Sequence, residues 1–449
     1  MFSRLRKKQF AYSVVILAGG AAGGQAVMIL VLPLLTRLYS PEDFSVLAVY
    51  AGLMTTISLA ACLRLDVAIA LPEREDEAVN LLALSCIAAG IVSLLTALAI
   101  IAWGDVIAQS VKGFAPRTYA WALPLGVFLT ATYSALQYWS SRGKAFKRVA
   151  TTKVCQGLGG AGTMAGCGWF ATGALGLILG QVVSAATGAL GLAYPVLVRN
   201  SKQLKEISVQ RMMQQFVRYQ RFPKYAAVEV FINSAAVQVP VIIIAALAIG
   251  AEAGFLVLAM RVMQGPMSVL GAAISQVYLS NAGESYRKGT LGSTTIDVIG
   301  GLVRTGVGPL LFAGICAPDV FGIVFGDDWT RAGELVRWMT PWFVLQFLSS
   351  PVSLALQVTD HQKLALVLQT FGLILRAGLV IGAAQFLPER LSEAYAISGA
   401  IFYGVYLIVI IHVVSAEGSD LLKQLWKAML TVSMWCVAGG CVVAILTRI

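Results

Sequence analysis

Six cationic side chains fall inside long apolar stretches of this 449-residue chain: Arg64, Lys153, Arg261, Arg304, Arg337 and Arg376. Asp66, Glu229, Asp297 and Glu334 lie inside such stretches or at their edges. A charge at the centre of a bilayer costs about 2.5–3.5 kcal/mol even on the lenient insertion scale, so such groups are expected to face a bundle interior or a water-filled cavity. The chemistry open to them is recognition. A guanidinium offers a fork of donors that fits phosphate or carboxylate bidentately. Arg261 and Arg376 have no acid within a helical turn, so a cavity role is expected for both. Asp297 and Arg304 are seven residues apart on one helix face, and an ion pair is expected there and between Arg337 and Glu334. Lys153 and Arg337 are near helix ends, from which they can snorkel to water. Arg64 and Asp66, two apart, do not face each other on a helix. For Glu229, pairing with an arginine and proton coupling are both open, as are carbonyl capping and gating for Arg37.

The elements that carry these residues are membrane helices. The chain is 58% apolar and only 12% charged, with mean hydropathy +0.79, whereas soluble domains carry about 25% charged residues. Apolar runs of membrane-spanning length are read at about 11–36, 43–70, 77–103, 118–141, 149–172, 174–198, 224–249, 252–280, 294–317, 332–358, 362–386, 391–414 and 425–447. The expected fold is an all-α polytopic membrane protein: two six-helix lobes around a central cavity, plus an additional C-terminal helix. The N-terminal lobe covers 1–198, a basic cytoplasmic linker 199–222, the C-terminal lobe 223–414, and a loop with the added helix 415–449. A first apolar run from Ala11 to Leu35 is too long for a signal peptide.

The net charge of +11 would suggest nucleic acid in a soluble protein. Here the lysines and arginines cluster in alternate loops, which places the N-terminus inside, and nucleic acid is excluded as a partner. Arg4, Arg6, Lys7, Lys8, Arg142, Lys144, Lys147, Arg148 and the run from Arg199 to Lys224 fall inside. Outside loops and the far terminus hold only Arg37, Lys112, Arg117, Arg331, Arg390 and Arg448. Within the linker, Ile207, Met212, Phe216 and Tyr219 outline an amphipathic helix suited to an anionic leaflet. Seven cysteines without a CxxC pair, and two histidines, provide no zinc site. Neither of the longer outside loops, 104–117 and 318–331, carries a catalytic constellation. Gly19, Gly20, Gly23 and Gly24 give GxxxG registers in the first helix, and Gly162 with Gly166 gives another in the fifth; both fit close helix packing or bending. Gln25 follows the glycines near mid-membrane.

The run from Gly19 to Gln25, with Pro33-Leu34-Leu35-Thr36-Arg37-Leu38-Tyr39-Ser40-Pro41-Glu42-Asp43-Phe44, resembles the opening of Wzx-type oligosaccharide flippases. Leu63-Arg64-Leu65-Asp66-Val67-Ala68-Ile69-Ala70-Leu71-Pro72 and Phe325-Gly326-Asp327-Asp328-Trp329 are similar to that family too. Asp66 stands where the family more often has Glu, and Ser45 where it has Gly. The resemblance spans roughly residues 10–415 and implies the multidrug/oligosaccharidyl-lipid/polysaccharide exporter superfamily. It implies a flippase, not an enzyme, without a cofactor, that moves an oligosaccharide on undecaprenyl pyrophosphate across the bacterial inner membrane by alternating access. Arg261 is the first expected cavity contact, then Arg64 and Arg376, with Gln25, Arg37 and Arg304 beside them. H+ or Na+ coupling would fall to Glu229 or Asp66. The bilayer, and other polysaccharide-assembly membrane proteins, are the expected partners. A cation-coupled drug or metabolite antiporter should line its cavity with acids rather than arginines. A polymerase or ligase should carry a large outside loop. A scaffold would not need stranded arginines.

Overall fold

In a computed structural model of the chain, the backbone is described for residues 2–110, 121–199, 201–248 and 250–446. Lys112, Arg117 and Arg448 lie outside the described residues. Each of the 13 expected spans meets a helix. They are α1 (Phe2–Leu38), α2 (Pro41–Ala61), α4 (Glu75–Ser110), α5 (Ala122–Arg142), α6 (Phe146–Trp169), α7 (Ala174–Arg199), α10 (Ala227–Leu247), α11 (Glu252–Arg287), the pair α12 (Leu291–Leu302) and α13 (Gly308–Phe325), α14 (Thr330–Ser349), α16 (Gln362–Phe386), α17 (Leu391–Val413) and α18 (Gly418–Leu446). Short helices α3 (Leu65–Ala68), α8 (Ser201–Leu204), α9 (Val209–Arg218) and α15 (Ala355–Val358) lie between them. Among the described residues nine helices are long and apolar enough to cross a membrane, the last being Gly418–Leu446. Helices α5, α6, α11 and α14 are as long but less apolar, because glycines, hydroxyls and charges interrupt them.

The chain forms two compact units, Met1–Ala246 and Leu247–Ile449. The division falls after α10, one helix later than the basic segment 199–222.

The first unit is held by glycines. A Cβ on Gly24 would come within 2.5 Å of the Lys153 carbonyl, and one on Gly157 within 2.6 Å of the Gly24 carbonyl. Helices α1 and α6 therefore touch backbone to backbone, the close approach that small residues permit in membranes. The register differs from the Gly162/Gly166 pair expected from sequence: both of those face open space, while Gly157 meets Gly24 of α1 and Gly160 meets Gly180 and Ser184 of α7. Ser40 caps α2 as a capping box, its Oγ accepting from the Asp43 N–H at 3.3 Å while its own N–H donates to the Asp43 carboxylate at 3.1 Å. This explains the local need for Ser40-Pro41-Glu42-Asp43.

The expected single span 43–70 is broken. Helix α2 stops at Ala61, and Leu63 (φ 52°) and Arg64 (φ 59°) both adopt left-handed backbone. That conformation costs roughly 1–2 kcal/mol per non-glycine residue, so the surroundings must impose it. Arg142, at the end of α5, is one such restraint: its guanidinium donates to the carbonyls of Ile69, Pro72 and Glu73, pinning the loop that follows.

The second unit is packed with aromatics. Trp342 stacks on Phe343 at 5.4 Å and meets Tyr395 edge-on at 5.0 Å. Trp329 is 1% exposed and lies edge-on to Phe255. Gly326 makes that position reachable, since its φ of 105° is closed to side-chain-bearing residues. The Phe325-to-Trp329 motif is thus a packing corner. Helix α18 lies along α12 and α13, with Trp435 edge-on to Phe312 at 5.6 Å and the Cys316 thiol turned to the Gly439 carbonyl.

Candidate functional site

In the first unit the broken end of α2 gathers the charged residues. Asp66 is 2% exposed; its Oδ2 accepts from the Ser134 hydroxyl at 2.7 Å, while Oδ1 is buried without a hydrogen-bond partner. Arg64 is half-buried with its Nε buried and unmatched. The two do not form an ion pair among the described residues, as their spacing predicts, though the reason is a turn rather than a helix. Tyr138 of α5 lies near both. An unmatched buried polar atom costs about 1–3 kcal/mol. The arrangement offers an unfilled acceptor at Asp66 and an unused donor at Arg64.

Gln25 and Arg37 on α1 are exposed. Arg37 makes no hydrogen bond to a helix-end carbonyl among the described residues, so the capping role weighed from sequence is not found. Glu229 is exposed on α10 and has no ion pair among the described residues. Lys153, expected to snorkel to water, instead has its Nζ 5.6 Å from the centre of the Tyr133 ring, a cation–π contact.

In the second unit Arg261 is half-buried on α11, nine residues after Glu252. It has no hydrogen bond or ion pair among the described residues. Arg376 is 1% exposed. Its guanidinium is 4.4 Å from the Phe402 ring centre, 5.5 Å from Tyr403 and 5.7 Å from Trp342, so α14 and α17 enclose it with aromatic faces. The expected Arg304–Asp297 pair is bridged: Gln424 of α18 accepts from Arg304 and donates to Asp297 at 3.1 Å. Arg304 sits in a π-helical turn, Val303–Val307, which breaks the seven-residue register that would have aligned the two directly. The expected Arg337–Glu334 pair is replaced. Glu334 pairs with Arg331 at 2.9 Å, and Arg331 also takes Glu252 at 3.0 Å and Glu393 at 2.6 Å.

The basic linker is docked rather than loose. Asn80 of α4, fully buried, donates to the Glu206 carbonyl and accepts from the Ser208 N–H, and Arg218 pairs with Glu77 at 3.0 Å. The docked face of α9 carries Met212 and buried Gln215, with Tyr219 just beyond it. Val209, Met213 and Val217, 78%, 63% and 57% exposed, form the opposite stripe. The apolar face read from sequence is therefore the docked face in part.

Ser134, Gln424 and the Trp342–Phe402–Tyr403 cage went unseen in the sequence, and Arg142 and Arg331 were read only as loop charges that set the orientation. Among the described residues no three His, Cys, Asp or Glu side chains converge to hold a metal. Arg64 in the first unit and Arg261 in the second can each donate to an anion.

A family model described as polysaccharide biosynthesis protein matches residues 34–334. No curated protein sequence matches the chain. Among solved structures, a lipid II flippase MurJ in an inward closed conformation is 11% identical, with 96% of this chain and 98% of that one covered, at TM-score 0.72. An inward-facing MATE family multidrug resistance transporter of the MOP superfamily is 17% identical, with 91% and 95% covered, at TM-score 0.65. A MOP superfamily transporter from Pyrococcus furiosus, described as having a binding pocket of reverse polarity, is 16% identical, with 90% and 95% covered, at TM-score 0.54. The likeness establishes a MATE/MurJ-like fold.

Proposed function

This chain belongs to the polysaccharide biosynthesis protein family, and on that premise we propose that it moves an undecaprenyl-pyrophosphate-linked oligosaccharide from the inner to the outer leaflet of the bacterial inner membrane by alternating access, with its N-terminus in the cytoplasm. The observation that carries the reading is Arg261: a guanidinium about 14 Å into α11 at 1.5 Å per residue, with no compensating acid among the described residues. A pyrophosphate supplies the missing charge. In return, the arginine replaces part of the hydration that a sugar phosphate loses on leaving water. Within the first unit, Arg64, with its unmatched Nε, is a second candidate donor to an anion. Gln25 and Arg37 offer polar groups from the exposed side of α1. Arg376 contributes its charge from inside the aromatic cage, and Arg304 from its bridge to Gln424. An inside-negative potential helps an anion outward by about 2.3 kcal/mol per charge per 100 mV. If an ion is coupled, Asp66 is the better candidate, because it is buried with a spare oxygen, whereas Glu229 is exposed.

The same buried carboxylate supports a second reading, a cation-coupled antiporter. Deletion of the gene separates the two. The flippase reading expects loss of surface polysaccharide with accumulation of the lipid-linked intermediate. Unchanged polysaccharide with altered sensitivity to cationic drugs would favour the antiporter.

A further inference from the structure

Helices α13 and α14 pack closely at two levels. Gly333 lies against the Ala317 and Pro318 backbone, and Gly314 against Thr340. On the outer surface of this pair opens a cleft of about 550 Å³ lined by Pro318, Glu334, Arg337, Trp338 and Pro341, within the 300–1,000 Å³ range of small-molecule sites. The four α14 residues stand at i, i+3, i+4 and i+7, which is one face of a helix, and all are exposed, Trp338 at 48%.

The two charges that line this cleft, Glu334 and Arg337, are not paired with each other among the described residues. Glu334 would be the natural partner of Arg337, but Arg331 holds its carboxylate and is itself fixed by Glu252 and Glu393. Ser392 ties Glu252 from the other oxygen at 2.7 Å. The N-terminal turns of three helices thus lock Glu334 toward Arg331. Arg337 is left with no hydrogen bond or ion pair among the described residues. Pro341 adds an acceptor: a proline has no N–H to give the carbonyl four residues earlier, and that carbonyl belongs to Arg337. One turn therefore offers a cationic fork, a spare carbonyl and an indole. Arg337 is about 10 Å from the start of α14 at 1.5 Å per residue, on the side that the loop charges assign to the outside. Indoles favour that headgroup level.

We propose that this cleft binds the phosphate of a membrane lipid in the outer leaflet: the guanidinium takes the phosphate, the carbonyl a headgroup hydroxyl, and Trp338 the glycerol or sugar carbons. The site is separate from the Arg261 contact and stands whether or not the flippase reading does. Phospholipid and exported glycolipid carry the same phosphate chemistry, so the test distinguishes them.

The full-length protein is reconstituted in nanodiscs of equal phosphatidylglycerol and phosphatidylcholine, released, and its retained lipid counted by native mass spectrometry. Wild type should retain phosphatidylglycerol in excess. Arg337→Gln should lose that excess by roughly tenfold, as expected when one charge-assisted contact of about 1.4 kcal/mol is removed. Arg390→Gln, another exposed outer arginine, should keep it. Trp338→Leu should weaken retention while preserving the thermal midpoint, which separates lost contact from misfolding. Added farnesyl pyrophosphate that displaces the lipid identifies a polyprenyl-borne phosphate as the preferred occupant; resistance to displacement identifies phospholipid. Arg337→Gln retaining the wild-type excess, or a wild type without preference, overturns the proposal.

Discussion

The two units bury charge in opposite ways. The first places a carboxylate, Asp66, beside a strained turn, with one oxygen satisfied by Ser134 and one not. The second surrounds a cation, Arg376, with Trp342, Phe402 and Tyr403. Their packing follows the same division. Glycines bring α1 and α6 into backbone contact in the first unit, while large rings fill the second. In the first unit the carboxylate keeps one oxygen open to a further donor. In the second unit aromatic faces stabilise the enclosed guanidinium.

The largest expected effect tests the cage. Arg376→Ala should lower unfolding stability by about 3 kcal/mol or more, because it empties a fully buried volume. Arg376→Met should recover more than half of that loss if packing dominates, and little if the charge does; thermal unfolding of purified variants distinguishes them. Next comes the glycine seam. Gly157→Val should cost about 1–3 kcal/mol, since the new side chain has only backbone to displace, whereas Gly162→Val, facing open space, should leave the melting temperature unchanged. Equal losses at both positions would erase the contrast between the units. Gln424→Ala should cost about 1 kcal/mol, the net worth of a hydrogen bond, and should leave protein amount unaltered in membranes. The smallest stability effect belongs to Asp66→Asn. The amide keeps the Ser134 contact, so the melting temperature should hold, but ion-driven transport in proteoliposomes should fall. Ion-driven transport equal to wild type would remove Asp66 from the coupling role.

Helix positions were legible because a bilayer demands about 20 apolar residues wherever the backbone crosses it, and even Gly418–Leu446 could be placed on that ground. The break at Leu63–Arg64 was not. Neither residue is a glycine or proline, and an apolar run carries no record of φ. Charge partners were legible only where they lie on one helix. Asp297 and Arg304 share a face on paper, yet a π turn and Gln424, 120 residues beyond Arg304, decide how they meet. Glu334 was matched to Arg337, three residues away, because sequence cannot show that Arg331 is braced by Glu252 and Glu393 from distant helices. The stranded position of Arg261 was legible because no acid lies near it in sequence, and no partner from elsewhere appears among the described residues.

The central claim is that Arg261 meets a lipid-linked pyrophosphate. The most direct measurement is the leaflet distribution of the lipid-linked oligosaccharide in deletion cells carrying wild type, Arg261→Lys or Arg261→Ala at matched membrane levels. The account predicts outer-leaflet delivery with wild type, reduced delivery with Lys, which keeps the charge but loses the fork, and inner-leaflet accumulation with Ala. Full outer-leaflet delivery by Arg261→Ala would contradict it.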